Sequence, residues 1–322
     1  MPSRFSLCCA LVATLLISQG AVAQSWPNRP VRFLVPFAAG AGINDIMARL
    51  VGQHLGGLLG QPVVIENRPG SGGIAGTDAA AKAAPDGYTF LMTNVSLVTS
   101  AYLYPNLAYD PQKDFVPVTL VATSPLLLVV HPSVAAKSVQ EFIALAKANP
   151  GKLTFGSGGI GSTPHLSVEL FESAAGFEAV HVPYKGGAPA LNDLIGGQLA
   201  FMIENMPGTM PFVKQGKLRA LAITSAKRSP LEPSLPSLAE SVPGYEVVGW
   251  QGLFAPAGTP PEIVSRLQLD VGKLLRYPEV RDRLAALGAD AVGSAPADFA
   301  AFVREENVRW SKIIREKGIR PQ

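Results

Sequence analysis

Cysteine is almost missing from this chain. Its 322 residues hold only Cys8 and Cys9, side by side near the amino terminus. An adjacent pair supports neither a zinc site nor a disulfide framework, and His54, His131, His165 and His181 stand at no metal-binding spacing. Charge is scarce as well. Charged residues make up 16%, against ~25% in ordinary domains. The net charge of +3 comes without a run of Lys or Arg, so there is no electrostatic footprint for nucleic acid. No Gly-x-Ser-x-Gly elbow occurs, which removes a common serine-nucleophile signature. No apolar stretch after the first residues is long enough to cross a bilayer. What the chain does have is apolar bulk (48%), 32 glycines and 28 prolines, enough for packed cores and short of the Gly-Pro content of disordered chains. Its length exceeds what one core usually fills, so two domains are expected.

The first residues set an expected compartment. Arg4 precedes an apolar run, Phe5 to Ile17, broken only by Ser6 and Thr14, and Ala21-Val22-Ala23 gives the small-x-small pattern of a signal-peptidase site. Residues 1–23 are therefore expected to be an export signal. The alternative, a membrane anchor, needs ~20 apolar residues, and the run falls short. The mature chain is expected to be exported, free of cysteine and not membrane-embedded.

Strands and helices then alternate. Val31 to Pro36, Val63 to Ile65 and Tyr88 to Met92 read as strands, with helices from Ile43 and over Ala75 to Ala84 between them. A second unit starts near Pro125. Its strands are Leu126 to Val130, Leu153 to Phe155, Val180 to Val182, Leu199 to Ile203 and Leu218 to Thr224. Its helices are Ser138 to Ala148, Pro164 to Ala175 and Pro189 to Ile195. A strand Val247 to Trp250 and helices from Pro261, Pro278 and Pro296 close the chain. This order implies parallel sheets flanked by helices. Periodicity leaves open whether the two units are sequential or one interrupts the other.

Parallel sheets bind ligands at the carboxyl ends of their strands, where helix N-termini offer free N–H groups and a positive dipole end. Two Gly-rich turns stand at such places. One is Gly40-Ala41-Gly42; the other is Gly156 to Pro164, with Thr163 as N-cap and Pro164 at the first helical position. Turn-making alone explains either loop about as well as ligand binding, but two loops in two units point to one anion gripped from both sides. Gly156-x-Gly158-x-x-Gly161 matches the dinucleotide pattern formally, yet no acidic residue ends the next strand. His165 could donate to an anion or simply cover its loop, whereas His181 reads as a packed strand residue. Glu204 and Asn205 follow a strand and could reach the cleft or form a turn.

Several segments resemble Bug-type receptors of tripartite tricarboxylate transporters. They include Pro36 to Gly40, Glu66 to Gly73, Ala83 to Thr89, Phe155 to Leu166, His181 to Leu191, Gly216 to Ala222 and Pro256 to Pro260. The resemblance spans nearly the whole mature chain in order. It implies an α/β fold, that of a two-lobed periplasmic binding protein (type II-like). Each lobe would be a mainly parallel sheet flanked by helices, with two crossover strands near Val121–Pro125 and Tyr245–Trp250. Lobe 1 would be discontinuous (24–122 plus 246–322) and lobe 2 would be 123–245. The resemblance also implies capture of a small organic carboxylate by backbone amides, hydroxyls and water, followed by delivery to membrane permease subunits from the periplasm. The protein would be a monomer without cofactor, metal or catalytic residue. By resemblance the first grip holds Phe37, Ala39, Gly40, Gly42, Asn44 and Asp45. The second holds Ser157, Gly158, Gly159, Ser162, Thr163 and His165. Asn94, Tyr184, Glu204 and Asn205 would line the walls. Two departures from the family stand out. Asn44 occupies a usual Thr or Ser position in a loop one residue longer, and Glu204 stands where Asp is common. The longer Glu204 side chain favours a monocarboxylate, or a carboxylate with a polar donor, over citrate. The rival reading is an exported enzyme on a small acid, with Glu204 or His165 as acid/base.

Overall fold

The computed structural model describes residues 26–40, 43–184, 186–229 and 232–320. The expected export signal at 1–23 and Gly42 of the first grip lie outside the described residues. In the first sheet, β1 (Val31–Val35) runs parallel to β2 (Val63–Asn67) on one side and to β3 (Thr89–Thr93) on the other. Helix α1 (Ile43–Leu59) links β1 to β2, and α2 (Ile74–Ala81) links β2 to β3. β1 is apolar on both faces because both are covered: Val31, Phe33 and Val35 meet Met47, Val51 and Leu55 of α1, while Leu34 joins the opposite core.

The crossover strands are longer than the sequence suggested. β4 (Phe115–Val130) has 16 residues, and β9 (Val248–Pro256) runs antiparallel between β3 and the first part of β4. The two-residue β10 (Asp290–Ala291) pairs the other edge of β4 at Ala122–Thr123. From Leu126 onward β4 leaves this sheet. It lies antiparallel to both β7 (Phe201–Asn205) and β8 (Arg219–Ile223). β5 (Thr154–Ser157) is parallel to β7 and to β6 (Val180–Pro183), so the second sheet repeats the plan of the first. Each lobe thus has a parallel set extended by antiparallel crossover strands, and its sheet is mixed. The chain returns at Val247, whose N–H still bonds Thr224 O beside the second sheet, and Val248 begins β9.

Helices α4 (Val139–Ala148), α5 (Thr163–Ala175), α6 (Gly187–Ile195) and α7 (Met206–Lys214) flank the second sheet. Helices α8 (Pro261–Leu274) and α9 (Pro278–Ala286) cover the first, and α10 (Pro296–Glu316) ends the chain. One element between the lobes was not read from the sequence: α3 (Ser96–Leu103), which follows β3. α10 packs on α3, β4 and α5, so it spans both lobes. Its Trp310, Ile313 and Ile314 share a core with Leu91 of the first sheet and Phe155 and Phe171 beside the second. Glu306 Oε2 accepts from Trp250 Nε1 (2.9 Å) and Trp310 Nε1 (2.8 Å), tying β9 to α10. Among the described residues no helix is long and apolar enough to cross a membrane.

Candidate functional site

The carboxyl ends of the two parallel sets face each other and meet. Thr99 Oγ1 of α3 donates to Gly161 O in the loop after β5 (3.4 Å), and Leu103 packs on the Cα of Gly161. Gly161 has φ +78°, and a Cβ there would overlap Leu103 Cδ1. Only glycine fits while the lobes touch at this point.

The first grip is organised by Asp45 in the opening turn of α1. Its Oδ2 accepts from Gly40 N–H (2.8 Å) and Arg49 Nε (2.9 Å), and its Oδ1 accepts from Asn67 Nδ2 (2.8 Å). Asn67 Nδ2 also donates to Phe37 O at 3.0 Å. Burial would raise the Asp45 pKa, but the hydrogen bonds from Arg49, Gly40 and Asn67 outweigh it and hold the group below 3.8. Asp45 therefore spends its oxygens on the shape of the loop. Ala39 and Gly40 are exposed at its tip, and Phe37 packs half-buried behind it. Asn44 is buried with its Oδ1 unpartnered. Across the sheet, Asn94 Oδ1 accepts from Ser96 N–H (3.0 Å) in the turn that leads into α3.

The second grip is held by its own hydroxyls and histidines. Ser162 caps α5: its Oγ accepts from His165 N–H and donates to Gly159 O at 2.7 Å. Ser157 Oγ lies 2.7 Å from His181 Nε2 and accepts from Gly159 N–H at 3.1 Å. His165 Nδ1 accepts from Gly161 N–H (3.1 Å), its Nε2 faces Glu169 Oε1 (3.4 Å), and its ring stacks on His181 at 3.9 Å. Burial, helped by His165, pushes the His181 pKa down to about 3, so that imidazole is neutral. With 3% of its surface exposed, His165 supports the loop from behind. Thr163 begins α5 half-buried, and its hydroxyl has no partner among the described residues.

The walls are more committed than the sequence suggested. Tyr184 N–H bonds Ser157 O, and its hydroxyl donates to Asp193 Oδ2 at 2.6 Å. Burial, with that bond, pushes the Tyr184 pKa up to about 12. Glu204 is buried at the end of β7, where its Oε1 accepts both Asn205 N–H (2.8 Å) and Asn205 Nδ2 (2.6 Å). Four residues that organise the site were missed by sequence reasoning: Asn67, Arg49, Thr99 and Leu103. Asn67 carried a signal, since it closes β2 within a segment already noted.

The geometry sets the first turns of α1 and α5 at the carboxyl ends of β1 and β5, on two sheets that touch at Thr99 and Gly161. Among the described residues no group of three His, Cys, Asp or Glu could bind a metal ion. Residues 47–319 match the family described as "Tripartite tricarboxylate transporter family receptor". Protein BugT of Bordetella pertussis (strain Tohama I) is 40% identical over 310 residues, covering 95% of this chain and 95% of that one. A solved structure, R. palustris Rpa4515 with adipate, is 40% identical with a TM-score of 0.84, covering 92% of this chain and all of that one (100%). MatC (Rpa3494) from Rhodopseudomonas palustris, with bound malate, is 36% identical with a TM-score of 0.80, covering 90% and 100%. The matching family is described as a receptor, and the two solved structures hold a carboxylate, adipate in one and malate in the other. The chain belongs to the tripartite tricarboxylate transporter receptor family.

Proposed function

We propose that this protein is an extracytoplasmic receptor that captures one small carboxylate between its two lobes. It would then pass the ligand to the membrane subunits of a tripartite tricarboxylate-type transporter. The supporting observation is the pair of glycine-rich strand ends, one shaped by Asp45 and the other capped by Ser162, on two sheets that touch at Thr99 and Gly161. The ligand is held by backbone N–H groups at the starts of α1 and α5, with Thr163 and Asn94 as polar contacts on the two sides. The lobes, 24–122 with 246–322 and 123–245, move as a hinged pair on the crossover strands, and the Thr99–Gly161 contact marks the closed position. Residues 1–23 direct the monomer to the periplasm and are removed. Glu204 is buried behind Gly158 and Gly187 instead of lining the cleft wall, and the volume of its longer side chain behind the second grip is what favours a monocarboxylate or a donor-bearing carboxylate over citrate.

Thermal-shift screening of mono-, di- and tricarboxylates, followed by calorimetry, tests the reading. Expected are saturable one-to-one binding, a raised Tm and no turnover. Tighter binding of citrate than of any monocarboxylate overturns the preference, and product formation overturns the receptor reading.

A further inference from the structure

Glu204 is the least comfortable group in the molecule. It is 6% exposed, its Oε1 is taken up by Asn205, and its Oε2 is buried without a partner. Among the described residues no ion pair reaches it. Oε2 presses on the start of α6, since a Cβ on Gly187 would stand 2.7 Å from it. Gly187 in turn backs the second grip: a Cβ on Gly158 would lie 3.1 Å from Gly187 N. The order from grip to strand is Gly158, Gly187, Glu204, with bare backbone at the first two places.

Charged and titratable groups on the surrounding elements are engaged elsewhere. β4 places Leu127 opposite Glu204. Asp193 of α6 holds Tyr184, and Lys214 of α7 faces Glu232. His181 of β6 is neutral on Ser157, and His165 of α5 is held between Gly161 and Glu169. An ionised Glu204 would therefore set an uncompensated negative charge behind amides that are to hold another. In a closed, dry cleft the two charges oppose each other.

We propose that Glu204 is a neutral acid whenever a carboxylate occupies the second grip, so that at a pH where the free protein holds it ionised each captured anion brings one proton with it. The proton comes from bulk water onto the Glu204 carboxyl and returns there on release; the ligand stays ionised. This rests on the reading of the second grip as an anion site. Burial acts in the same direction, raising the Glu204 pKa above its ordinary value against the two Asn205 hydrogen bonds. By linkage, affinity falls as pH rises between the pKa values of the free and liganded forms, by up to about tenfold per pH unit.

The probe is whichever of malate, adipate, benzoate and glutamate raises the Tm most. It is titrated calorimetrically from about pH 5 to about pH 9 in buffers of different ionisation heat. Wild type should take up one proton more per ligand than Glu204→Gln, which keeps the volume and the Oε1 acceptor. The variant's affinity should vary less with pH. In the wild type, a difference infrared spectrum of liganded minus free protein should gain one neutral-acid carbonyl band, a readout that needs no variant. Equal proton counts and parallel pH profiles, or no such band, overturn the proposal while leaving the receptor reading intact. No binding of any probe at any pH overturns the receptor reading, and the proposal with it.

Discussion

Replacing Gly161 with alanine should weaken ligand capture without unfolding the protein. Two costs arise. At φ +78° an L-residue is strained by about 1 kcal/mol, whatever the positions of the lobes. The added Cβ also overlaps Leu103 Cδ1 across the cleft. Leu103 is 4% exposed, so it has little room to turn, and overpacking of this kind costs about 1–3 kcal/mol. The second cost exists only while the lobes touch, so it appears in affinity, as roughly a 5- to 150-fold weaker Kd. Calorimetry on Gly161→Ala reads it, with circular dichroism as the check on folding. Leu103→Val removes Cδ1, and adding it to Gly161→Ala should recover most of the lost affinity in a double-mutant cycle. Wild-type affinity in Gly161→Ala, or no recovery in the double variant, would refute closure through this contact.

Other expectations concern stability. Burial, then the nearby Glu169, pushes the Glu172 pKa up to about 7 against the Ala179 N–H and Lys317. The resulting stability is present below about pH 4.5 and lost as pH rises through about 7, up to about 3 kcal/mol. Melting curves of Glu172→Gln should lack that pH slope, and an unchanged slope would place the titration elsewhere. Glu306→Ala strands two buried indole N–H groups and should cost about 3 kcal/mol, with altered tryptophan fluorescence. Glu306→Gln keeps an acceptor and should lose less; equal losses from both would mean that the carboxylate is not what holds the tryptophans.

Much of the alternation was legible because β1 and β3 are short apolar runs and α1 and α5 carry start signals. The exceptions have physical causes. α3 is buried at Leu97, Val98, Thr99 and Ser100 in succession, so it has no polar face and no helical period. α7 contains Pro207, Gly208 and Pro211, which read as loop; Pro207 sits in the first turn, where the missing N–H costs nothing. β4 was divided because Thr119, Ser124 and Pro125 interrupt its apolar pattern where it changes sheets. In the site, the glycine loops were visible as spacing. The task of Asp45 was not, since it depends on Asn67 arriving from the end of β2, and that of His165 was not, since its ring turns back on Gly161 four residues earlier only once the loop has its shape.

The place of β9 governs the order in which the molecule can form. It is the strand between β3 and β4, yet the chain reaches it only at Val248–Pro256. Until then β2-β1-β3 and β4 share no neighbour, although all four have been synthesised by Val130. The second sheet, with every partner between Leu126 and Ile223, can assemble first. The first must keep its open strand edges unpaired through well over a hundred residues of later chain, which makes its closure slow. A nascent chain shorter than about 256 residues is therefore half a molecule with a loose amino-terminal third. The strand it still lacks, β9, is the one that joins β3 to β4.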